Sequence, residues 1–138
     1  MAERLLLFRY SDQAMAIPAA VNRQVFEMPE IAPLPGTQFG LLGLVSVGGQ
    51  AIPAIDLDAL AAIPHADATL ALLIDIHGEE LVIPIEQILG YTETDESLMT
   101  ADLMSAPTSL GDYTYDFDVR VINPSSLIAT LQARLTPV

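Results

Sequence analysis

The 138-residue chain contains no cysteine, no lysine and no tryptophan. Without cysteine there is no disulfide scaffold, no thiolate metal site and no cysteine nucleophile. Without lysine there is no Schiff-base chemistry. Basic charge is scarce altogether: five arginines stand against eighteen acids, giving a formal charge of −13 and a pI of about 4.1. That balance opposes binding to nucleic acid and direct contact with anionic membrane. All the acids except Glu3 and Asp12 fall between Arg23 and Arg120, a stretch with no other arginine and no lysine, so much of the surface is expected to be negative. Keeping a very apolar chain in solution is an equally good use for them. Long hydrophobic runs are missing too. Leu5 to Phe8, between Arg4 and Arg9, is far shorter than a signal-peptide core. Ile31 to Ile55 lacks charge but is broken by Pro33, Pro35 and Pro53 and by five glycines, which a lone lipid-exposed helix does not tolerate. A cytoplasmic, soluble protein is the expectation.

What is present is apolar residue in quantity. Hydrophobic residues make up 51% of the chain and charged ones 17%, enough for a single compact domain over residues 1–138. Leu5–Tyr10 and Ala14–Ile17 around Ser11-Asp12-Gln13 read as a hairpin, and Pro18 as the start of a short helix through Arg23. Gln24–Met28 is extended, followed by a proline-rich loop over 29–35. Leu41–Val47 and Gln50–Leu57 flank Gly48-Gly49, the strongest hairpin signal in the chain, because a type I′ turn needs positive φ at both central positions. Asp58–Ile63 reads as a helical turn, and a boundary between sub-lobes is expected near 63–68. Thr69–Ile76 and Glu80–Ile85 form another hairpin around His77-Gly78-Glu79, with Pro84 expected at an edge or bulge. Glu86–Leu89 reads as a helical turn, and Tyr91–Asp112 as a long acidic loop with a short helix around Ser97–Met104. Tyr113–Val121 alternates as a strand. Asn123 caps a closing helix from Pro124 whose Leu127, Ile128, Leu131 and Leu135 recur at helical spacing. Many short strands with few helices predict a mainly β fold: two small five-stranded SH3-like barrel sub-lobes sharing a core, with the C-terminal segment returning to the first lobe.

Catalytic apparatus is hard to assemble from this chain. There is no G-x-S-x-G, no H-E-x-x-H and no phosphate-binding G-x-x-x-x-G-K. Asp75, His77 and Glu79 alternate along a strand and could put three ligands on one face, but residues of these types are ordinary at a hairpin tip. Asp56 and Asp58 could form an acid–base couple, or simply start a helix. The expectation is no catalytic residue, no cofactor and no metal, with a small carboxylate or metal-dependent hydrolase and an orphan ligand-binding β-barrel as the alternatives.

Leu5–Ile17, Gln24–Pro35 and above all Gly43-Leu-Val-Ser-Val-Gly-Gly-Gln-Ala-Ile-Pro-Ala-Ile-Asp-Leu57 resemble the CheW-like domain, the adaptor of bacterial chemosensory arrays. Gly43, Gly49, Pro53, Asp56 and Leu57 match the family pattern in register. Leu81–Gly90, with Glu86 at the acidic position, and Val119–Ile128 are similar to its later segments, so the resemblance covers nearly the whole chain. It implies two five-stranded SH3-like barrels, no catalysis, and docking to a chemoreceptor cytoplasmic tip and to the regulatory domain of a CheA-type histidine kinase, with self-association left open. The implied partner-binding positions are Ala19, Asn22, Arg23 and Gln24, then Val47, Gly48 and Gly49, then Glu86. This chain departs from the pattern with Gly48 for the usual arginine, Ser46 for asparagine, Asn22 for a hydrophobic residue and Gln24 for glutamate. Glycine cannot imitate the forked, permanently charged guanidinium. The resemblance therefore implies a divergent adaptor, in a chemotaxis or type IV pilus chemosensory system.

Overall fold

The computed structural model describes residues 3–33, 40–57, 60, 68–94, 99–109 and 118–135. Among these residues ten strands are formed: β1 (Glu3–Tyr10), β2 (Gln13–Pro18), β3 (Asn22–Glu27), β4 (Leu41–Val47), β5 (Gln50–Ile55), β6 (Leu70–Ile76), β7 (Glu79–Ile85), β8 (Gln87–Thr94), β9 (Thr108–Ser109) and β10 (Asp118–Val121). A 3-10 turn at Ala19–Val21 and a C-terminal helix at Pro124–Leu135 accompany them.

Three two-residue turns set the registers. Ser11–Asp12 (φ 53° and 62°), Gly48–Gly49 (57° and 82°) and His77–Gly78 (53° and 88°) all place both central residues at positive φ, the geometry whose twist matches that of the flanking strands. The three-residue turns expected at 11–13 and 77–79 are thus one residue shorter. Gln13 pairs with Tyr10 and Glu79 with Ile76, because a two-residue type I′ turn closes directly on a strand pair.

The strands make two five-stranded sheets, β8-β1-β2-β10-β9 and β3-β6-β7-β5-β4. The fold is mainly β with two lobes on one core, as the sequence leads one to expect. Among the described residues no ladder joins β8 to β9 or β3 to β4, so hydrogen bonding does not close either lobe into a complete barrel. Leu6, Phe8, Met15 and Ile17 of the first sheet and Leu72, Ile74, Leu81 and Ile83 of the second meet in one cluster, together with Leu127 and Leu131 of the helix. Each such side chain stabilises the fold by about 1.5–3 kcal/mol when removed from water. The opposite faces carry smaller clusters, Val45, Ile52, Ala54, Ala71, Leu73 and Val82 in one lobe and Leu5, Leu7, Ala16, Val119 and Val121 in the other.

The boundary between sub-lobes is expected near 63–68. Residues 63–67 lie outside the described set, and β5 and β6 on either side of them belong to the same sheet. The crossings fall at Val21–Asn22 and at Glu86, after which β8, β9 and β10 rejoin the first sheet, β10 running parallel to β2. Sheet pairing also overrides several local preferences. The helix expected from Pro18 to Arg23 stops after one 3-10 turn, because Asn22–Glu27 pairs with β6. The helical turn expected at Glu86–Leu89 is instead the start of β8, which takes up the free edge of β1 along seven paired residues. Tyr91–Thr94 belongs to the same strand rather than to a loop. Residues 99–104 are not helical, and Met104 bridges Ile122. Pro84 lies on the central strand β7, not at an edge. It is tolerated because its nitrogen faces β5 beyond the one pair, Ala54 with Val82, at which those strands meet.

Asp118–Val121 bears out the end of the expected strand, whose earlier part, Tyr113–Phe117, falls outside the described residues, as does most of Asp58–Ile63. The closing helix begins at Pro124 as expected. The Ser126 N–H donates to Asn123 Oδ1 at 3.2 Å, the capping bond that Asn is suited to make.

Candidate docking surface

The antiparallel pairing of β3 with β6 puts Asn22 opposite Ile74, three residues before His77 of the His77–Gly78 turn. The parallel pair Ala54–Val82 puts Gln50, and so the Gly48–Gly49 tip, level with Gly78. Two segments implied by the resemblance, Ala19–Gln24 and Val47–Gly49, therefore share one end of the second sheet. They sit on its opposite edge strands, β3 and β4. Glu86 is not brought to this end. It follows the far terminus of β7, and its Oε1 accepts a hydrogen bond from the Ser11 N–H, tying the first hairpin turn to the crossing between sheets.

At the β3 edge, a register shift between Asn22 and Gln24 accommodates the extra residue, Arg23. Both Arg23 and Gln24 are exposed. The Arg23 guanidinium donates to Asp75 Oδ2 at 3.0 Å, and Asp75 Oδ1 accepts from the Gly78 N–H at 2.8 Å, so one carboxylate links β3 to the adjacent turn. With the Arg23 side chain 61% exposed, the pair contributes at most about 1 kcal/mol. Its importance is in fixing orientation. Asn22 is half-buried, donates its Nδ2 to the Tyr91 hydroxyl at 3.0 Å, and leaves its Oδ1 buried without a partner. Tyr91, 45% exposed, stacks under the Arg4 guanidinium at 4.5 Å from the ring centre. Sequence reasoning missed Arg4 and Tyr91; the available signal was an aromatic residue placed after Gly90 at the end of an apolar run.

At the β4 edge, the Gly48–Gly49 tip is open: a Cβ built on either glycine meets nothing within 4 Å. Beside it lies a groove of about 750 Å³ between Pro29–Pro33 on one wall and Leu44–Ser46 with Gly49–Ala51 on the other. A smaller hollow of about 330 Å³ lies between β7 and the C-terminal helix, lined by Leu41, Pro53, Glu79, Leu81, Ile128 and Leu131 among others.

Among the described residues, those weighed for catalysis do not assemble into a site. Asp75 is engaged by Arg23 and Gly78, His77 occupies the turn at positive φ, and among the described residues no group of three His, Asp or Glu side chains is placed to hold a metal. Asp56 starts a helical turn, its carbonyl accepting from the Leu60 N–H at 3.0 Å, while Asp58 lies outside the described residues. No helix among the described residues is long and apolar enough to cross a membrane.

What the fold and surface define is a small two-lobed β domain whose exposed features are turns, an edge strand and a groove. The CheW-like domain family matches residues 4–115, and the chain belongs to that family. In structure it is similar to the scaffolding protein TtCheW from Thermoanaerobacter tengcongensis, with a TM-score of 0.73 and 16% identity, over 92% of this chain and 88% of that one. This likeness establishes the shared fold. No curated protein matches the chain in sequence.

Proposed function

We propose that the chain is a non-enzymatic, cytoplasmic signalling adaptor. It couples a chemoreceptor cytoplasmic tip to the regulatory domain of a CheA-type histidine kinase, in a chemotaxis or type IV pilus chemosensory system. Membership of the CheW-like domain family over residues 4–115 carries this reading. The geometry supports it by bringing Ala19, Asn22, Arg23 and Gln24 to the same sheet end as Val47, Gly48 and Gly49. In this proposal those two edges are the docking surfaces, and Glu86 acts by holding the Ser11–Asp12 turn. With Gly48 in place of arginine, the β4 tip offers a flat, uncharged contact, so its partner is one adapted to that turn.

The test is calorimetric titration of the full chain against purified regulatory domains of CheA-type kinases and chemoreceptor cytoplasmic tips from the same organism. The expected result is binding to each, with Arg23→Ala or Gly48→Arg weakening one of them at least tenfold while circular dichroism is unchanged. Absence of binding to both partners overturns the adaptor role.

A further inference from the structure

The β4 edge is only partly covered. In the β4–β5 hairpin, Val47 with Gln50 and Val45 with Ile52 are the pairs that face each other through hydrogen bonds, so Leu44 and Ser46 direct their main-chain groups outward. Leu44 uses both: its N–H donates to the Ala32 carbonyl at 2.9 Å and its carbonyl accepts from the Ala32 N–H at 2.8 Å. Continuing that register would pair Ser46 with Glu30. It does not continue. Ala32–Leu44 is an isolated bridge, the 29–31 segment splays away, and the 750 Å³ groove opens between Glu30 and Ser46. Among the described residues nothing bonds to the Ser46 N–H or carbonyl.

A main-chain donor and acceptor turned into an apolar cleft are completed by an added strand. Among the described residues the only ionisable one on the groove wall is Glu30, which is exposed, and the chain carries no permanently charged base between Arg23 and Arg120. A second copy brings the same carboxylate and another −13 of charge, so like charges oppose a symmetric edge-to-edge dimer. We infer that this groove takes an extended, basic segment of a partner protein, which pairs with Ser46 through its main chain and places a lysine or arginine against Glu30. The inference rests on the adaptor reading and names how one of its partners engages the β4 edge.

Ser46→Pro tests it cleanly. Proline there removes only the outward N–H and no bond to β5, as Pro53 already shows opposite Leu44. The probes are three octapeptides of alternating valine and threonine: one with a central lysine, one with a central glutamate, and a backbone N-methylated copy of the lysine peptide. Binding to the full chain is followed by NMR, with hydrogen exchange read at the Ser46 amide. The lysine peptide is expected to slow that exchange and to bind at least tenfold tighter than the other two. Ser46→Ala should retain this binding and Ser46→Pro lose it at least tenfold. Equal binding of the N-methylated peptide, no effect of any peptide at Ser46, slow exchange at Ser46 in the free chain, or a concentration-dependent dimer that protects this amide each overturns the inference. Kinase and receptor binding that survives Ser46→Pro unchanged sinks this inference alone. Peptide binding without kinase or receptor binding sinks the adaptor reading alone.

Discussion

Asn22 and Tyr91, 69 residues apart in sequence, join the two sheets through a 3.0 Å bond from the Asn22 amide to the Tyr91 hydroxyl. Asn22 opens β3 at one sheet's edge, and Tyr91 lies on β8 at the edge of the other. The bond ties the surface implied for docking to the rim of the shared core, where Arg4 covers the same ring. Tyr91→Phe keeps the ring under Arg4 and removes only the hydroxyl, so it should cost about 0.5–1.5 kcal/mol in urea unfolding. Tyr91→Ala should cost more, since the cation–π contact goes as well, and in that background Arg4→Ala should add nothing. A further loss from Arg4→Ala in that background would show that Arg4 acts elsewhere.

Gly43 and Gly48 should answer substitution differently. At Gly43, φ is 150° and an added Cβ would lie 2.3 Å from the Ala32 carbonyl oxygen, so Gly43→Ala has to break the Ala32–Leu44 bridge. A loss above about 2 kcal/mol is expected, together with faster hydrogen exchange at the Leu44 amide. At Gly48 there is open space and φ is 57°, so Gly48→Ala or Gly48→Arg carries only the left-handed backbone cost of about 1–2 kcal/mol. Equal losses at the two positions would contradict this account.

Glu86 should behave as a fastening. Its carboxylate accepts the Ser11 N–H, a charge-assisted bond whose removal in Glu86→Ala should cost about 1–3 kcal/mol. Glu86→Gln, which keeps an acceptor, should cost less. Affinity for kinase and receptor, titrated where each variant is fully folded, should stay within twofold of the parent. A loss beyond that would make Glu86 part of the contact itself.

Both lobes should unfold in one transition. Leu6 and Phe8 of the first sheet share one cluster with Ile74 and Ile83 of the second, so separating the sheets exposes the inner face of each. Fluorescence from the tyrosines and far-ultraviolet circular dichroism should give coincident urea curves, and an isolated 69–138 fragment should not fold. The midpoint should rise between low and physiological sodium chloride, because salt screens the repulsion among the acids between Arg23 and Arg120. Separate transitions, or a midpoint that falls with salt, would refute these expectations.

Local chemistry was legible wherever a residue type has one conformational use. Gly48-Gly49 announced its turn, Asn123 and Pro124 announced the helix start, and the apolar runs of β1, β6 and β7 announced buried strands. Errors fell where two local structures are nearly equal in free energy. Glu86–Leu89 can make a helical turn and Pro18–Arg23 a short helix, and the free strand edges of β1 and β6 replaced the first and cut the second to one 3-10 turn by offering strand hydrogen bonds. The docking positions themselves became legible only through family resemblance, since exposed turn residues carry no periodicity.

By itself the sequence determined the class of fold, the hairpins and the acidic, lysine-free surface, because turn chemistry, side-chain alternation and charge are properties of neighbouring residues. The return of the C-terminal segment to the first lobe was expected, but only the tertiary structure decided that it begins as early as β8, that Asn22 meets Tyr91, and that Ala19–Gln24 and Val47–Gly49 come to one end of the second sheet. Those outcomes depend on which strand edge each segment finds after the chain collapses, and burying the shared core on both sheets at once selects a pairing that no local preference encodes.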